Sequence, residues 1–400
     1  MAEFIQQYYF FVFVVCCLGH ALIWVRAINW MHGIRSQALW TDLVRLVLHV
    51  ILSGIPLWWF LVNGFQAPDA FWESWPVPLN WLFTGYLWLI GLLGMILFPL
   101  VWITYLLRKE PVAHRFIKRD TFDVAQALGR KPAGTGRRAW KTHLPGNEIF
   151  HVDLVERELV IPRLPATWDG IRLLHISDLH FCGRPGRGYF ERVFHYCAKR
   201  PFDLLILTGD LIDHKDFYHW LQLLQMLQPR LGKLAIRGNH DALYDADKVN
   251  ALLNEMGFIT LGGKCETISL GDERILIAGN EAPWLDPIPD VPDRDQNNLF
   301  RLALIHSPDQ YAWTVQNKFD LVLAGHNHGG QIRVPGFGSI FVPSKTGRQY
   351  DCGVFQQNET VMHVSRGLSG GHPVRYFCKP EVTWLTLKKE QFSASHPPTE

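Results

Sequence analysis

Ile171-Arg172-Leu173-Leu174-His175-Ile176-Ser177-Asp178-Leu179-His180 decides how the rest of the chain is read. Residues 171–176 form a short apolar run flanked by polar residues, which predicts a buried strand. Asp178 and His180 fall just beyond its carboxyl end, where open α/β sheets place their ligands. In an extended segment residues i and i+2 point the same way, so carboxylate and imidazole stand side by side, a pair suited to a divalent transition metal. His175, inside the strand, is read as a core histidine satisfied by hydrogen bonds.

Downstream segments repeat this pattern. Leu204–Thr208 runs into Gly209-Asp210, with Asp213 beyond it. Residues 234–237 lead to Gly238-Asn239-His240-Asp241, residues 302–305 to His306, and Leu321–Ala324 to Gly325-His326-Asn327-His328-Gly329-Gly330-Gln331. Glycines beside the ligands permit tight turns and close backbone approach. Seven candidate donors result: Asp178, His180, Asp210, Asn239, His306, His326 and His328. That is too many for one ion and right for two that share a carboxylate. A set of carboxylate, amide and imidazole without thiolate favours Mn, Fe or Zn at a catalytic site. Two such ions, about 3.5–4 Å apart, clamp the attacking and leaving oxygens of an in-line displacement at phosphorus and make hydroxide available near neutral pH from a bridging water.

In this order the motifs Asp-Leu-His, Gly-Asp-x-x-Asp, Gly-Asn-His-Asp, a lone His and Gly-His-Asn-His-Gly-Gly-Gln resemble the calcineurin-like metallophosphoesterases over residues 149–388. The resemblance implies an α/β fold, a four-layer α/β/β/α sandwich of two facing sheets. It implies that Asp178, His180, Asp210 and His328 hold one metal, that Asp210, Asn239, His306 and His326 hold the other, and that Asp210 bridges. His240 would stabilise the transition state or protonate the leaving oxygen, with Asp241 as its orienting partner. Family members often carry Thr where this chain has Asn327, a position that is not a ligand. Residues 332–338 and 365–375 further resemble the membrane-associated branch that includes hydrolases of UDP-2,3-diacylglucosamine, a lipid A precursor. Arg184 and Arg187 follow the first motif in a Gly/Pro loop and suit phosphate oxygens. His372 and Arg375 are candidates for substrate contact by the resemblance alone.

Ahead of this domain the composition is different. Residues 8–25, 43–65 and 81–107 are each long and apolar enough to span a bilayer, and Pro99 is placed to kink the third. The first is read as a retained span, because residues 1–7 carry no Lys or Arg and no Ala-x-Ala cleavage site follows. Trp30, Trp40, Trp72, Trp75 and Trp81 lie at segment edges, as interfacial aromatics do. Arg26, Arg35 and Arg45 face only Asp42 in the first loop, whereas Asp69 and Glu73 stand without Lys or Arg in the second. Residues 108–141 then carry ten Lys/Arg. By the positive-inside rule the catalytic domain is expected in the cytoplasm.

The expected organisation is a membrane anchor over 1–107, a basic juxtamembrane linker over 108–148, the catalytic domain over 149–388 and a polar tail over 389–400. A formal net charge of +2 offers no footprint for nucleic acid. Seven cysteines without a C-x-x-C pair give no disulfide or zinc-ribbon framework. The expected partners are the bilayer and a phosphorylated lipid or nucleotide-lipid. The alternatives are a phosphodiesterase or phosphatase acting on a soluble substrate, and a scaffold that keeps the metal site without turnover.

Overall fold

The computed structural model describes residues 8–34, 39–63, 77–136, 138–285, 287–294 and 298–390. Arg35, Asp69, Trp72, Glu73, Trp75, Arg137 and the end of the tail lie outside the described residues, as do the side chains of Trp40, Asp42 and Trp81. The chain divides into two compact units: Met1–Lys109 with Val334–Gly347, and Glu110–Arg333 with Arg348–Glu400.

The first unit contains helices α1 (Tyr9–His32), α2 (Leu39–Asn63), α3 (Val77–Leu92) and α4 (Phe98–Leu106). One π-helical stretch, Leu93–Leu97, joins α3 to α4 just ahead of Pro99, whose missing N–H disrupts the α-helical ladder there. Phe10–His32, Leu43–Leu61 and Gly85–Leu106 are each long and apolar enough to cross a membrane. Small residues let α1 meet α3 backbone to backbone: a methyl group at Gly19 would lie 1.7 Å from the Ile90 carbonyl oxygen. The excursion Val334–Gly347 packs on these helices. Asn29, buried on α1, donates to the Ile340 carbonyl (3.1 Å) and accepts from the Val342 amide (3.0 Å). Trp102 Nε1 donates to the Gly336 carbonyl (2.8 Å), and Phe337 stacks on Phe98 with ring centroids 5.3 Å apart.

The second unit is built on two mixed sheets. In chain order it contains β1 (His114–Asp123), α5 (Val124–Leu128), β2 (His151–Ile161), β3 (Arg172–Ile176), α6 (Arg187–Ala198), β4 (Leu204–Thr208), β5 (Gly232–Ile236), α7 (Asn239–Leu243), α8 (Ala246–Glu255) and β6 (Phe258–Thr260). It continues with β7 (Lys264–Leu270), β8 (Glu273–Asn280), β9 (Phe300–Ile305), α9 (Tyr311–Gln316) and β10 (Leu321–Ala324). A short ribbon of β11 (Arg333–Val334) and β12 (Gly338–Ser339) lies at the start of the excursion that belongs to the first unit, after which the second unit resumes with β13 (Gly353–Gln357), β14 (Thr360–Val364) and β15 (Glu381–Lys389). The seven-stranded sheet runs β1-β2-β15-β3-β4-β5-β6 and the six-stranded sheet β13-β14-β10-β9-β8-β7. Leu173, Leu204, Ile206 and Leu234 of the first pack with Ile275, Ile277, Leu302 and Leu321 of the second in one buried cluster, so the sheets face each other. Helix α6 and the 3-10 segment Lys215–Met226 cover the outer face of the first sheet through Phe190, Phe194, Leu221 and Leu224; α9 lies on the second through Tyr311. The central strands β3, β4, β9 and β10 are buried on both faces, which explains their predominantly apolar sequences, broken only by Arg172 and His175 in β3, Thr208 in β4 and Arg301 in β9.

Residues 108–148 do not form a linker. From Glu110 onward they belong to the catalytic unit, and β1 is its edge strand, antiparallel to β2. The sequence of β1 is charged because only one long edge is paired and residues 115–119 are exposed on both faces: Arg115 pairs with Glu158 (3.7 Å), and Thr121 donates to Asp153 (2.8 Å). Such an edge is protected by charge rather than by apolar burial, so hydropathy conceals it.

Replacing Asn29 with Ala removes both bonds to the excursion and leaves the buried Val342 amide without its acceptor. The expected cost is about 1–3 kcal/mol. Limited trypsinolysis of the purified protein should then cut at Lys345 faster than in the wild type, while the catalytic unit keeps its protection.

Candidate metal centre

The parallel strands β3, β4, β5, β9 and β10 all end at the same edge, and their following turns converge there. Asp178, His180, Asp210, His326 and His328 take left-handed backbone conformations, with φ of 54°, 44°, 54°, 69° and 49°. For residues other than Gly each costs about 1–3 kcal/mol and persists where the surroundings over-determine it. Here the turns are held by hydrogen bonds from their own ligands: Asp178 accepts the His326 amide (3.1 Å) and Asp210 accepts the His240 amide (2.8 Å). Close approach also requires Gly238, where a methyl group would sit 2.1 Å from Asp210 Oδ1.

Three groups of donors form among the described residues, one of them His180 with Asp213 and His240, and the other two contain the expected ligands. Asp178, His180, Asp210 and His328 place one ligand atom each within 4.8 Å of one another, and Asp210, His306 and His326 do likewise. Asn239 joins the second set, its Oδ1 lying 3.1 Å from His306 Nε2. Nδ1 of His306 donates to the Thr208 carbonyl (2.7 Å), which turns Nε2 into the site. His180 Nε2 and His328 Nε2 face each other at 3.2 Å. Burial drives His180 down to about 4 and His328 further below the usual imidazole range, which keeps both rings neutral and able to ligate. Neutral imidazoles, buried carboxylates and an amide oxygen, with no thiolate, fit two hard-to-borderline divalent ions.

His240 stands at the edge of this cluster with its side chain 30 % exposed. Its partner is not Asp241. Nδ1 donates to Asp213 Oδ1 at 2.6 Å, whereas Asp241 turns inward and accepts the amides of Leu211 (3.0 Å), Ile212 (2.9 Å) and Gly238 (2.8 Å). Adjacency in sequence suggested Asp241, but the first turn of α7 points residues 240 and 241 in different directions. Burial opposes the His240 imidazolium, yet the charge of Asp210 and the bond from Asp213 outweigh it and raise the group to about 9. Burial and the charge of Asp210 push Asp241 up to about 7.

The arginine expectations divide. Arg184 lies on the rim and donates to the Gly371 carbonyl (3.4 Å), and His372 is exposed beside it, 3.3 Å from Lys141 Nζ. Arg187 is on the exposed side of α6, paired with Glu191 (2.6 Å), in a surface depression with Arg192 and His195 that includes none of the ligands. Arg375 is fully buried and does not face solvent: it donates to the carbonyls of His328 (2.9 Å), Arg366 (2.8 Å) and Ser369 (2.5 Å) and so fixes the His328 turn. His175 is fully buried and bonds to Thr208 Oγ1 (2.9 Å) and His363 (2.9 Å), a core role. Asn327 donates to the Tyr350 carbonyl (2.8 Å).

Three further residues at the site carry no motif of their own. The buried pair of Arg237 and Glu281 (2.7 Å) ties the end of β5 to the end of β8, directly before Gly238. Trp284 sets its ring 4.6 Å from that of His326 and 5.7 Å from that of His306. Only the position of Trp284 just past a strand end, in Asn280-Glu281-Ala282-Pro283-Trp284, could have drawn notice.

Residues 171–330 match the calcineurin-like phosphoesterase family. The uncharacterized metallophosphoesterase YkuE of Bacillus subtilis (strain 168) is 33% identical over 251 residues, which span 60% of this chain and 87% of that protein. The chain belongs to the calcineurin-like metallophosphoesterases. It is also similar to the phosphodiesterase YaeI of Escherichia coli (strain K12), 29% identical over 54% of this chain and 82% of that protein. A transmembrane protein with a metallophosphoesterase domain from Danio rerio is 26% identical over 59% of this chain and 57% of that protein. This metallophosphoesterase is therefore a hydrolase of phosphoric esters, and its family uses a dinuclear divalent metal centre.

Asp210 is common to both donor sets. Asp210→Asn should reduce bound metal from about two ions per chain to below one, read by elemental analysis after dialysis against trace Mn. Gly238→Ala should do the same, since its methyl group cannot coexist with the Asp210 carboxylate in its present place.

Proposed function

We propose that this metallophosphoesterase cleaves a phosphodiester or pyrophosphate bond in a membrane lipid or lipid-linked nucleotide, with UDP-2,3-diacylglucosamine as the first substrate to try. The observation that carries this reading is the union, in one chain, of a phosphoesterase site with three helices apolar enough to cross a bilayer. Anchoring raises the local concentration of an amphiphilic substrate. The Danio rerio relative, named as a transmembrane protein, supports an integral membrane location. The distribution of Lys and Arg around the spans supports a cytoplasmic catalytic unit.

Asp178, His180, Asp210 and His328 would hold one ion, and Asp210, Asn239, His306 and His326 the other; Mn, Fe and Zn all suit these donors. When bound, two such ions polarise the phosphoryl oxygens and acidify the attacking water. His240 protonates the leaving oxygen. Asp213 orients its Nδ1–H, so that Nε2 carries the proton to be transferred, and favours the imidazolium. With a pKa raised to about 9, His240 holds that proton at neutral pH and loses it as pH rises through the alkaline range. Asp241 acts on the same centre indirectly, by holding the Gly238 turn.

The test uses the full-length protein in detergent, loaded with Mn. Hydrolysis of UDP-2,3-diacylglucosamine is compared with that of bis-p-nitrophenyl phosphate, a soluble diester. Marked preference for the lipid supports the proposed substrate; cleavage of the soluble diester alone keeps the chemistry and removes the lipid. His240→Ala should lower kcat by about 10²- to 10⁴-fold with metal content intact. Asp213→Asn should move the alkaline limb of the pH–rate profile to lower pH, because the imidazolium loses its hydrogen-bonded anion.

A further inference from the structure

Within the catalytic unit, residues 132–136 and 138–147 pack beside residues 183–186 and 371–375. The Thr135 amide donates to the Gly183 carbonyl (3.0 Å), and the Gly186 amide to the Pro132 carbonyl (2.8 Å). Asn147 Nδ2 donates both to the Lys141 carbonyl (2.8 Å) and to the Pro373 carbonyl (2.9 Å), which ties the segment to residues 371–375. A methyl group at Gly136 would lie 3.6 Å from Arg184 Nη1, so the segment passes beside that guanidinium.

The consequence is a gathering of cations. Lys141 Nζ lies 3.3 Å from His372 Nδ1, and Arg184 Nη2 donates to the carbonyl of the adjacent Gly371 (3.4 Å). Partial desolvation first, and then the charges of Arg138, Lys141 and Arg184, lower the His372 pKa. No carboxylate among the described residues forms an ion pair with Arg138, Lys141 or Arg184. Asp213, the acid whose charge reaches His372, is engaged by His240 at 2.6 Å. Arg184 Nε is buried without a hydrogen-bond partner. Lys141 and Arg184 both reach residues 371–372, and the charge of Arg138 acts on His372 as well; with Asp213 engaged by His240, the repulsion among these cations is relieved when an anion enters. The cluster also borders the reaction centre: a methyl group at Gly371 would stand 2.7 Å from Asp213 Oδ2 and 4.0 Å from His240 Cε1.

We propose that Arg138, Lys141, Arg184 and His372 form a second anion subsite on the His240 side of the metal centre, which takes a further phosphoryl group borne by the substrate. It rests on the phosphoesterase activity of the same centre and narrows its substrates to those with two neighbouring phosphoryl groups, such as a pyrophosphate diester. Arg184 supplies a planar fork for phosphoryl oxygens, Lys141 a point charge, and neutral His372 a hydrogen bond. The anion lies beside the leaving oxygen, where the subsite favours departure of a phosphorylated group and where a simple diester leaves the cations unmatched. The phosphoryl group could belong to a lipid or to a soluble nucleotide sugar, and the two sources are separable by assay.

The experiment compares full-length wild type with Arg138→Ala/Lys141→Ala, both Mn-loaded. The readout is the ratio of kcat/KM for UDP-glucose, and separately for UDP-2,3-diacylglucosamine in detergent micelles, to that for bis-p-nitrophenyl phosphate. The variant should lower the ratio about 10-fold or more for whichever source is native, chiefly through KM. Loss with both pyrophosphate substrates identifies the phosphoryl group itself as the ligand; loss with the lipid alone identifies a lipid-borne one. A ratio unchanged in the variant, or a wild type that gains nothing from the second phosphoryl group, overturns the subsite. Binding gives a readout apart from turnover: methylenediphosphonate should bind the variant at least about 10-fold more weakly by calorimetry, while methylphosphonate, which reaches only the centre, should lose less. Equal losses for the two phosphonates also overturn it. Inactivity of the wild type on every ester, with the binding difference preserved, would remove the phosphoesterase reading and leave the subsite standing.

Discussion

Two fully buried carboxylates, Asp178 and Asp210, constrain everything around them. Burial pushes Asp178 up to about 6, while His306 and His240 outweigh burial and hold Asp210 below the ordinary range. Buried anions this close are tolerated only with cations or hydrogen-bond donors at hand. The fold supplies imidazoles on every side and backbone amides from the opposing turns. The remaining demand is met by divalent charge, which is what the family employs. The metal centre is thus the counterpart of an electrostatic problem that the sheet edge creates.

Meeting that demand costs backbone freedom. Five ligand residues sit in left-handed conformations, and the turns that hold them are joined to one another by Asp178, Asp210 and Asp241 rather than each to its own strand. Arg375, buried behind His328, and the Arg237–Glu281 pair, buried behind Asn239, belong to the same framework. These groups are buried, yet each fixes a turn that carries donors of the metal centre. His240 is the exception in exposure, and its placement depends on Asp213, which arrives from the turn after β4.

The two units divide the labour unevenly along the chain. Val334–Gly347 leaves the catalytic sequence a few residues after the last histidine of the site and packs with the apolar helices through Asn29, Trp102 and Phe98. Residues 110–148 do the reverse: they follow the third apolar helix directly but belong with the catalytic sheets, adding an edge strand and a basic segment at the rim. Each exchange of segment joins stretches that lie far apart in sequence into one compact unit.

The central strands and the donors at their ends were legible in the sequence, because strands buried on both faces are short apolar runs and metal sites demand particular residue types beside glycine. The apolar helices were legible for the same reason, since bilayer thickness sets a length that composition must fill. Edge strand β1 was not legible, because a half-exposed charged strand has no apolar periodicity. The pairing of His240 with Asp213 instead of Asp241, the burial of Arg375 and the approach of Lys141 to His372 were not legible either. Each depends on which direction a side chain takes from its turn and on which distant segment passes nearby. Residue type and local spacing determined what chemistry this chain can carry; tertiary packing alone decided which charged groups stand open beside the metal centre and which are buried behind it.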